Sequence, residues 1–143
     1  MKIISFDISD KSQADLAFAI RQKVFVEEQH VDRDEEYDEH ETTAKHYLVF
    51  VDEQAAATSR WRHTTNGIKL ERFAVLPEFR NKGVGTALVK AVLADVIPFE
   101  KLIYLHAQVA AMNVYARNGF VAEGELFYEA NIPHYKMIYS LSR

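Results

Sequence analysis

Cysteine is absent from this chain of 143 residues. Disulfide bonds, thiolate metal sites and a cysteine nucleophile are therefore excluded, and so is an acyl-cysteine intermediate. No stretch approaches the roughly 20 consecutive apolar residues that a membrane-spanning helix needs. The first ten residues, "MKIISFDISD", turn acidic too early for a signal peptide. Together these absences predict a cytoplasmic protein.

Basic residues are in deficit, since 17 lysines and arginines accompany 21 acids for a net charge of −4. Nucleic-acid binders usually carry a basic face, and none is evident here, so we expect no nucleic-acid partner. The acids concentrate in "EEQHVDRDEEYDEHE", residues 27–41. The rest of the chain is close to neutral, and a small anionic ligand can bind there. The basic segment "RNKGVG", residues 80–85, is the natural place for it.

Hydrophobic periodicity predicts one α/β domain over residues 1–143, with the element order β-α-β-β-β-α-β-α-β-β. Helical spacing runs through "SQADLAFAIRQKVFVEEQ" and again from Gly83 to Val96. Asn66-Gly67 predicts a hairpin turn, and the nearly continuous apolar run "KLIYLHAQ" is typical of a buried central strand. We therefore expect a mixed sheet with helices on its faces.

The segment "RNKGVG" joins the strand "LERFAVL" to the helix "GVGTALVKAVLADV". A helix N-terminus offers unpaired N–H groups and the positive end of a dipole, and glycines let a phosphate approach the backbone. Arg80 and Lys82 add positive charge. A P-loop motif is absent, and Gly83-Val84-Gly85 matches only part of a dinucleotide fingerprint. The segment is predicted to hold a phosphate, with a plain strand–helix turn as the alternative.

Two motifs resemble the GCN5-related N-acetyltransferases (GNAT). "RNKGVG" after "AVLPEF" resembles the family's coenzyme A pyrophosphate loop, and "VYARNGF" (114–120) resembles its second signature. "RQKVFVEEQ", "HAQVAAMNVYARNGF" and "FYEANIPHYKM" further resemble the small bacterial ElaA/YjcF-like members. The resemblance covers nearly the whole chain and implies the GNAT fold, with a mostly antiparallel sheet that separates near "FAVL". Homodimers are common in the family, so the resemblance allows one here.

The resemblance implies an N-acetyltransferase that moves an acetyl group from acetyl-CoA to a primary amine by direct attack in a ternary complex, without a metal. The alternative is a non-catalytic acyl-CoA-binding module that acts as a sensor or regulatory partner. The residues implied in coenzyme binding are Phe73, Ala74, Val75, Arg80, Asn81, Lys82, Gly83, Val84, Gly85, Thr86, Gln108, Asn113 and Tyr115. Gln108 stands where the family often has asparagine.

Catalysis needs a proton acceptor for the amine and a donor for the leaving thiolate. By the resemblance, Tyr115 lies near the coenzyme sulfur. Glu71, His106, Glu129 and His134 can each be the base, and Glu71 and His106 are the ones predicted to be catalytic. The candidate substrate-binding residues are Glu28, Arg72, Glu129 and His134. Strand alternation predicts that Glu71 and Arg72 point to opposite faces, so that only one of them faces the cleft.

The acidic run allows several functions. "DRDEEYDEHE" fails the EF-hand pattern because Tyr37 replaces the glycine and Thr43 the final glutamate, and no zinc spacing is met. A solvated loop is one interpretation. The other is a loop that borders the acceptor cleft, where Glu28, Asp38 or Glu41 attracts a cationic amine such as a polyamine or an aminoglycoside-like molecule.

Overall fold

The computed structural model describes residues 1–140, in which seven strands form one mixed sheet with the order β1-β2-β3-β4-β5-β7-β6. The strands are β1 (Lys2–Phe6), β2 (Lys45–Val51), β3 (Gln54–Thr64), β4 (Gly67–Val75), β5 (Ile103–Gln108), β6 (Phe120–Glu129) and β7 (Ile132–Tyr139). β4 and β5 pair in parallel, and the other five neighbouring pairs are antiparallel. The predicted α/β fold with a mostly antiparallel sheet is confirmed.

Four α-helices connect the strands: α1 (Lys11–Arg21), α2 (Arg33–Glu36), α3 (Val84–Val96) and α4 (Met112–Ala116). Short 3₁₀ turns cover Pro77–Phe79, Ile97–Phe99 and Val109–Ala111. α1 continues as a π-helix over Gln22–Glu28, which the helical spacing of the sequence does not distinguish from an α-helix. α2 lies inside the acidic run, where acids in the first turn favour a helix N-terminus.

Helices cover both faces of the sheet. α3 packs with Leu88 and Val92 on the larger core cluster, which includes Leu70 of β4 and Leu105 of β5. α1 and the π-helix pack on the opposite face in a second cluster that contains Leu48 and Ala74. None of the helices within residues 1–140 is long and apolar enough to span a membrane.

The predicted hairpin turn at Asn66-Gly67 fixes where β4 starts. A Cβ on Gly67 would lie 2.3 Å from the carbonyl oxygen of Leu102, and Gly67 has a φ of 139°. Only glycine therefore fits between the two chain segments. The next residue, Ile68, donates its N–H to the same Leu102 carbonyl at 2.8 Å. This contact brings the beginning of β4 beside the beginning of β5.

Candidate active site

β4 and β5 are joined along only part of their length. Three parallel pairs connect them, and the last joins Leu70 to Leu105. β4 then continues to Val75 and β5 to Gln108, so within residues 1–140 this edge of β4 has no strand partner beyond Leu70. A cleft of about 1150 Å³ opens where the two strands separate. The two strands therefore separate near "FAVL" (residues 73–76), as predicted.

The loop before α3 contains two left-handed residues, Asn81 with a φ of 61° and Gly83 with a φ of 80°. Gly85 needs no such conformation. A Cβ on Gly85 would lie 3.8 Å from Val75 and 4.0 Å from Val114, which are ordinary contact distances. Both valines line the cleft. The missing side chain therefore leaves room for a ligand beside the unpaired N–H groups that begin α3.

Arg80 uses three of its five N–H donors inside the protein. Its two terminal nitrogens donate to the carboxylate of Glu28 at 2.7 and 2.8 Å, and its Nε donates to the Val75 carbonyl at 2.9 Å. This bidentate contact lowers the pKa of Glu28 and raises the pKa of Arg80. Glu28 itself does not line the cleft. An anion that binds Arg80 must share it with Glu28.

Gln29 forms a second link from the end of the π-helix. The side-chain nitrogen of Gln108, the last residue of β5, donates to the side-chain oxygen of Gln29 at 2.8 Å. Glu28 and Gln29 thus connect the π-helix to the loop after β4 and to the end of β5. Gln29 was not among the predicted site residues, because nothing in the sequence relates it to a residue 79 positions away.

Tyr115 lies against the cleft, with its ring packed edge-on against Phe73 and Phe120. Burial raises the pKa of its phenol. No residue in the described range 1–140 hydrogen-bonds to its hydroxyl. The hydroxyl therefore stays protonated at neutral pH and is available to donate to a bound molecule.

His106, Glu129 and His134 form a connected group on one side of the cleft. His106 Nδ1 lies 3.0 Å from Glu129 Oε2, and the other carboxylate oxygen lies 3.8 Å from His134 Nε2. The hydrogen bond to His106 lowers the pKa of Glu129. Because an ionised carboxylate only accepts, Nδ1 of His106 carries the proton in this contact, and in the neutral imidazole Nε2 is the nitrogen with the lone pair. His134 Nδ1 donates to the Ile132 carbonyl at 2.6 Å, which fixes the orientation of its ring.

Glu71 is surrounded by cations. Its carboxylate lies 2.6 Å from Arg62 Nε, 3.0 Å from Arg60 Nη2 and 3.6 Å from Lys69 Nζ. Burial alone would raise the pKa of Glu71, but these three cations outweigh burial and lower it. The carboxylate is already saturated with donors, so it is a weak proton acceptor.

The expectation that only one of Glu71 and Arg72 faces the cleft is wrong, because both line it. Arg72 has a φ of 60°, and the register between β3 and β4 shifts at this point. This bulge interrupts the alternation of side chains. Arg72 Nη2 donates to the carbonyl of Glu35 at 3.2 Å and to Asp38 at 3.2 Å, so the bulge also anchors the acidic run.

Three acidic residues of the acidic run direct their carboxylates toward the protein interior. Glu36 pairs with Arg21 at 2.6 Å and Asp38 with Arg60 at 2.9 Å, while Glu41 pairs with both arginines at 2.8 and 2.9 Å. Both arginines are 1% exposed. Neither a solvated loop nor a cation-binding loop describes these three acids, since their carboxylates neutralise buried guanidinium groups.

Most predicted site residues line the one cleft, but Lys82, Asn113 and Glu28 do not. The cleft also contains residues that were not predicted. Arg117 lies at the end of α4 and has no carboxylate partner among residues 1–140. Its place inside "VYARNGF" is a signal that could have identified it. Phe25 of the π-helix, which lies within the "RQKVFVEEQ" motif, also lines the cleft.

A family model described as an acetyltransferase (GNAT) domain matches residues 7–141, nearly the whole chain. The chain belongs to the GNAT acetyltransferases. YjcF of Bacillus subtilis, named an uncharacterized N-acetyltransferase, is 37% identical to this GNAT protein over 124 residues, which cover 85% of this chain and 89% of YjcF. The predicted family and the enzyme class, an N-acetyltransferase, are confirmed.

Solved structures agree with this assignment. The crystal structure of Escherichia coli ElaA is 25% identical, with a TM-score of 0.88 over 98% of this chain and 100% of ElaA. An acyl-CoA N-acyltransferase from Pseudomonas aeruginosa is 26% identical, with a TM-score of 0.84 over 97% and 99% of the two chains. The predicted likeness to ElaA and YjcF is therefore confirmed.

Proposed function

We propose that this GNAT enzyme transfers an acetyl group from acetyl-CoA to a primary amine by direct attack while both molecules occupy the cleft, and that residues 1–143 form the single domain needed. The observation that supports this most is the continuity of the cleft. The cleft extends from Gly85 at the N-terminus of α3, along the edge of β4 that β5 leaves unpaired, to the pair formed by His106 and Glu129.

The donor half of the cleft suits a pyrophosphate and an extended amide chain. We propose that the amides of residues 82–86 hold the pyrophosphate at the N-terminus of α3, where dipole and N–H groups favour an anion. The open backbone of Phe73, Ala74 and Val75 would pair with the amides of the pantetheine arm and stabilise negative charge on the thioester oxygen. The Pseudomonas aeruginosa relative is named an acyl-CoA N-acyltransferase, so its name gives the same class of acyl donor.

His106 is the proton acceptor that we propose. An alkyl ammonium has a pKa near 10.4 and must lose a proton before it attacks. Nε2 of His106 has the free lone pair for this, directly or through a water, and Glu129 at Nδ1 stabilises the imidazolium that forms. Glu71 fits this role less well, because three cations hold its carboxylate in the ionised state.

Tyr115 is the group that we propose for the leaving sulfur. A free thiol has a pKa of about 8.5, and burial raises the phenol's pKa above its ordinary value. Complete proton transfer from the phenol to the thiolate is therefore uphill. A hydrogen bond from the phenol stabilises the departing thiolate without that transfer.

Two measurements test the proposed function. Isothermal titration with acetyl-CoA should show binding, and a thiol-release assay across primary amines should then show turnover. Binding without release from any amine would favour a non-catalytic acyl-CoA-binding module. Absence of binding would contradict the whole proposal, because the room at Gly85 would then hold no coenzyme.

A further inference from the structure

The charged groups around the acceptor half of the cleft cancel one another. We call the following set the ion network: the five cations Arg21, Arg60, Arg62, Lys69 and Arg72 and the four carboxylates Glu36, Asp38, Glu41 and Glu71. Adding the carboxylate of Glu129, whose charge acts on Lys69, gives five positive and five negative charges. With neutral imidazoles, this half of the site has no net charge.

Each member of the ion network is already paired at short distance. Asp38 holds both Arg60 and Arg72, and Glu71 holds Arg60, Arg62 and Lys69. A second ammonium on the acceptor would have to compete with a guanidinium for its carboxylate. A carboxylate on the acceptor would have to compete with the network's own carboxylates for cations that these already neutralise. Either exchange leaves a charge unpaired in a partly buried site, which is costly.

The charged groups outside the ion network do not change this balance. Arg117 follows α4, whose Val114 lies beside Gly85 in the donor half of the cleft. Glu129 is shared with His106 at the position proposed for proton transfer. Glu28 is bound by Arg80 on the donor side. Glu35 lines the cleft but is exposed, and an exposed carboxylate contributes at most about 1 kcal/mol to an ion pair.

Uncharged side chains supply the remaining surface of this half. Phe25 and Val31 line the cleft from the π-helix and the segment after it, and Val31 donates its N–H to the Phe25 carbonyl at 2.8 Å. Ile132 lines it from β7, opposite Glu129 in the β6–β7 register. Ile132 is half-buried and belongs to neither core cluster, so its side chain is free to contact a bound molecule.

From this arrangement we infer that the acceptor is a primary monoamine with an uncharged, apolar body, and that polyamines and amino acids are poor acceptors. The inference rests on the proposed acetyl transfer. It replaces the cationic acceptor that the acidic run suggested, since the acids of that run neutralise the protein's own arginines. The reactive amine is the one cationic group for which the site has a place.

Three acceptors of equal length test the inference: hexylamine, 1,6-diaminohexane and 6-aminohexanoate. In the thiol-release assay with saturating acetyl-CoA, kcat/KM for hexylamine should exceed both others by about tenfold or more, which corresponds to 1.4 kcal/mol. Equal or better turnover of the diamine or the amino acid would overturn the inference while leaving the enzyme's function intact. Absence of turnover with all three would instead contradict the proposed function.

A pair of variants separates the local effect from a general change of charge. Ile132→Glu adds a carboxylate beside Glu129 and should raise the ratio of kcat/KM for 1,6-diaminohexane over hexylamine about tenfold. Leu126→Glu is the control, because Leu126 is 43% exposed on β6 and does not line the cleft. That control should leave the ratio unchanged. An unchanged ratio in Ile132→Glu, with both variants folded by circular dichroism, would show that the acceptor's body does not bind here.

Discussion

Glu71 and His106 are the first residues beyond the last pair that joins β4 to β5, Leu70 with Leu105. They follow the last paired residues of β4 and β5, but the charges around them have opposite signs. The carboxylate of Glu71 is held by three cations, whereas the imidazole of His106 is held by the carboxylate of Glu129. Cations make a carboxylate less basic, and a carboxylate stabilises a protonated imidazole. This contrast supports the proposal that His106, and not Glu71, accepts the proton of the amine.

Substituting each of these residues should give different results. His106→Gln should lower kcat about 100-fold with little change in the KM for acetyl-CoA, because the amine loses its proton acceptor. Glu71→Gln should mainly lower the free energy of unfolding, since it leaves buried cations unpaired. Steady-state kinetics and urea unfolding of both variants distinguish the roles. A fully active His106→Gln enzyme would remove His106 from the mechanism.

Gly85→Val tests the room beside α3. The Cβ of the new valine would make ordinary contacts with Val75 at 3.8 Å and with Val114 at 4.0 Å, and the thermal midpoint and circular dichroism show whether the variant keeps its fold. The affinity for acetyl-CoA should nevertheless fall at least about tenfold, because the side chain fills the approach to the helix N-terminus. Isothermal titration measures this. Ala94→Val is a suitable control, as Ala94 is exposed on the same helix and lies outside the cleft. Equal affinity in Gly85→Val would mean that the coenzyme binds elsewhere.

Tyr115→Phe removes one hydroxyl from a buried ring. The packing against Phe73 and Phe120 remains, and no hydrogen bond to another described residue is lost. Stability should therefore be nearly unchanged, while kcat should fall about tenfold or more through the loss of one hydrogen bond to the leaving thiolate. Stopped-time thiol release at saturating acetyl-CoA gives kcat directly. A kcat equal to that of the wild type would show that the sulfur leaves without help from this phenol.

Sequence patterns predicted the features that depend on local chemistry. The order of the strands and of α1, α3 and α4 follows from periodicity, whereas the short helix α2 was not predicted. The start of α3 follows from the glycines of "RNKGVG". The hairpin at Asn66-Gly67 follows from turn chemistry. Such signals lie within a few residues of the structure that they specify.

The remaining features depend on contacts between distant segments. The acids of residues 34–41 have the composition of a solvated loop, and only the fold brings Arg21 and Arg60 against them. The left-handed conformation of Arg72 has no local signal, since arginine gives no preference for positive φ. The π-helix has the same apolar residues that an α-helix would have, so its different hydrogen bonding could not be predicted.

Asp38 makes the free energy of unfolding depend on pH, because its pKa differs between the folded and unfolded states. Burial alone would raise its pKa, but hydrogen bonds and charge from Arg60, a hydrogen bond from the His40 N–H and the charge of Arg72 hold it well below the usual range. A carboxyl whose pKa is lower in the folded state stabilises the fold fully above its unfolded pKa of about 3.9, and this contribution is lost as the pH falls further. Asp38→Asn should thus cost about 2 kcal/mol of unfolding free energy at pH 7.

Below about pH 3.9 the difference between the wild type and Asp38→Asn should shrink by about 1.4 kcal/mol per pH unit. Urea unfolding at pH 7 and pH 3 measures it. The opposite shift of Glu36, whose pKa burial raises, acts in both proteins and largely cancels in the comparison. Asp15→Asn is the control, because Asp15 is 64% exposed and its substitution should have little effect at either pH. An equal cost of Asp38→Asn at pH 7 and pH 3 would show that Arg60 and Arg72 do not stabilise the ionised carboxylate.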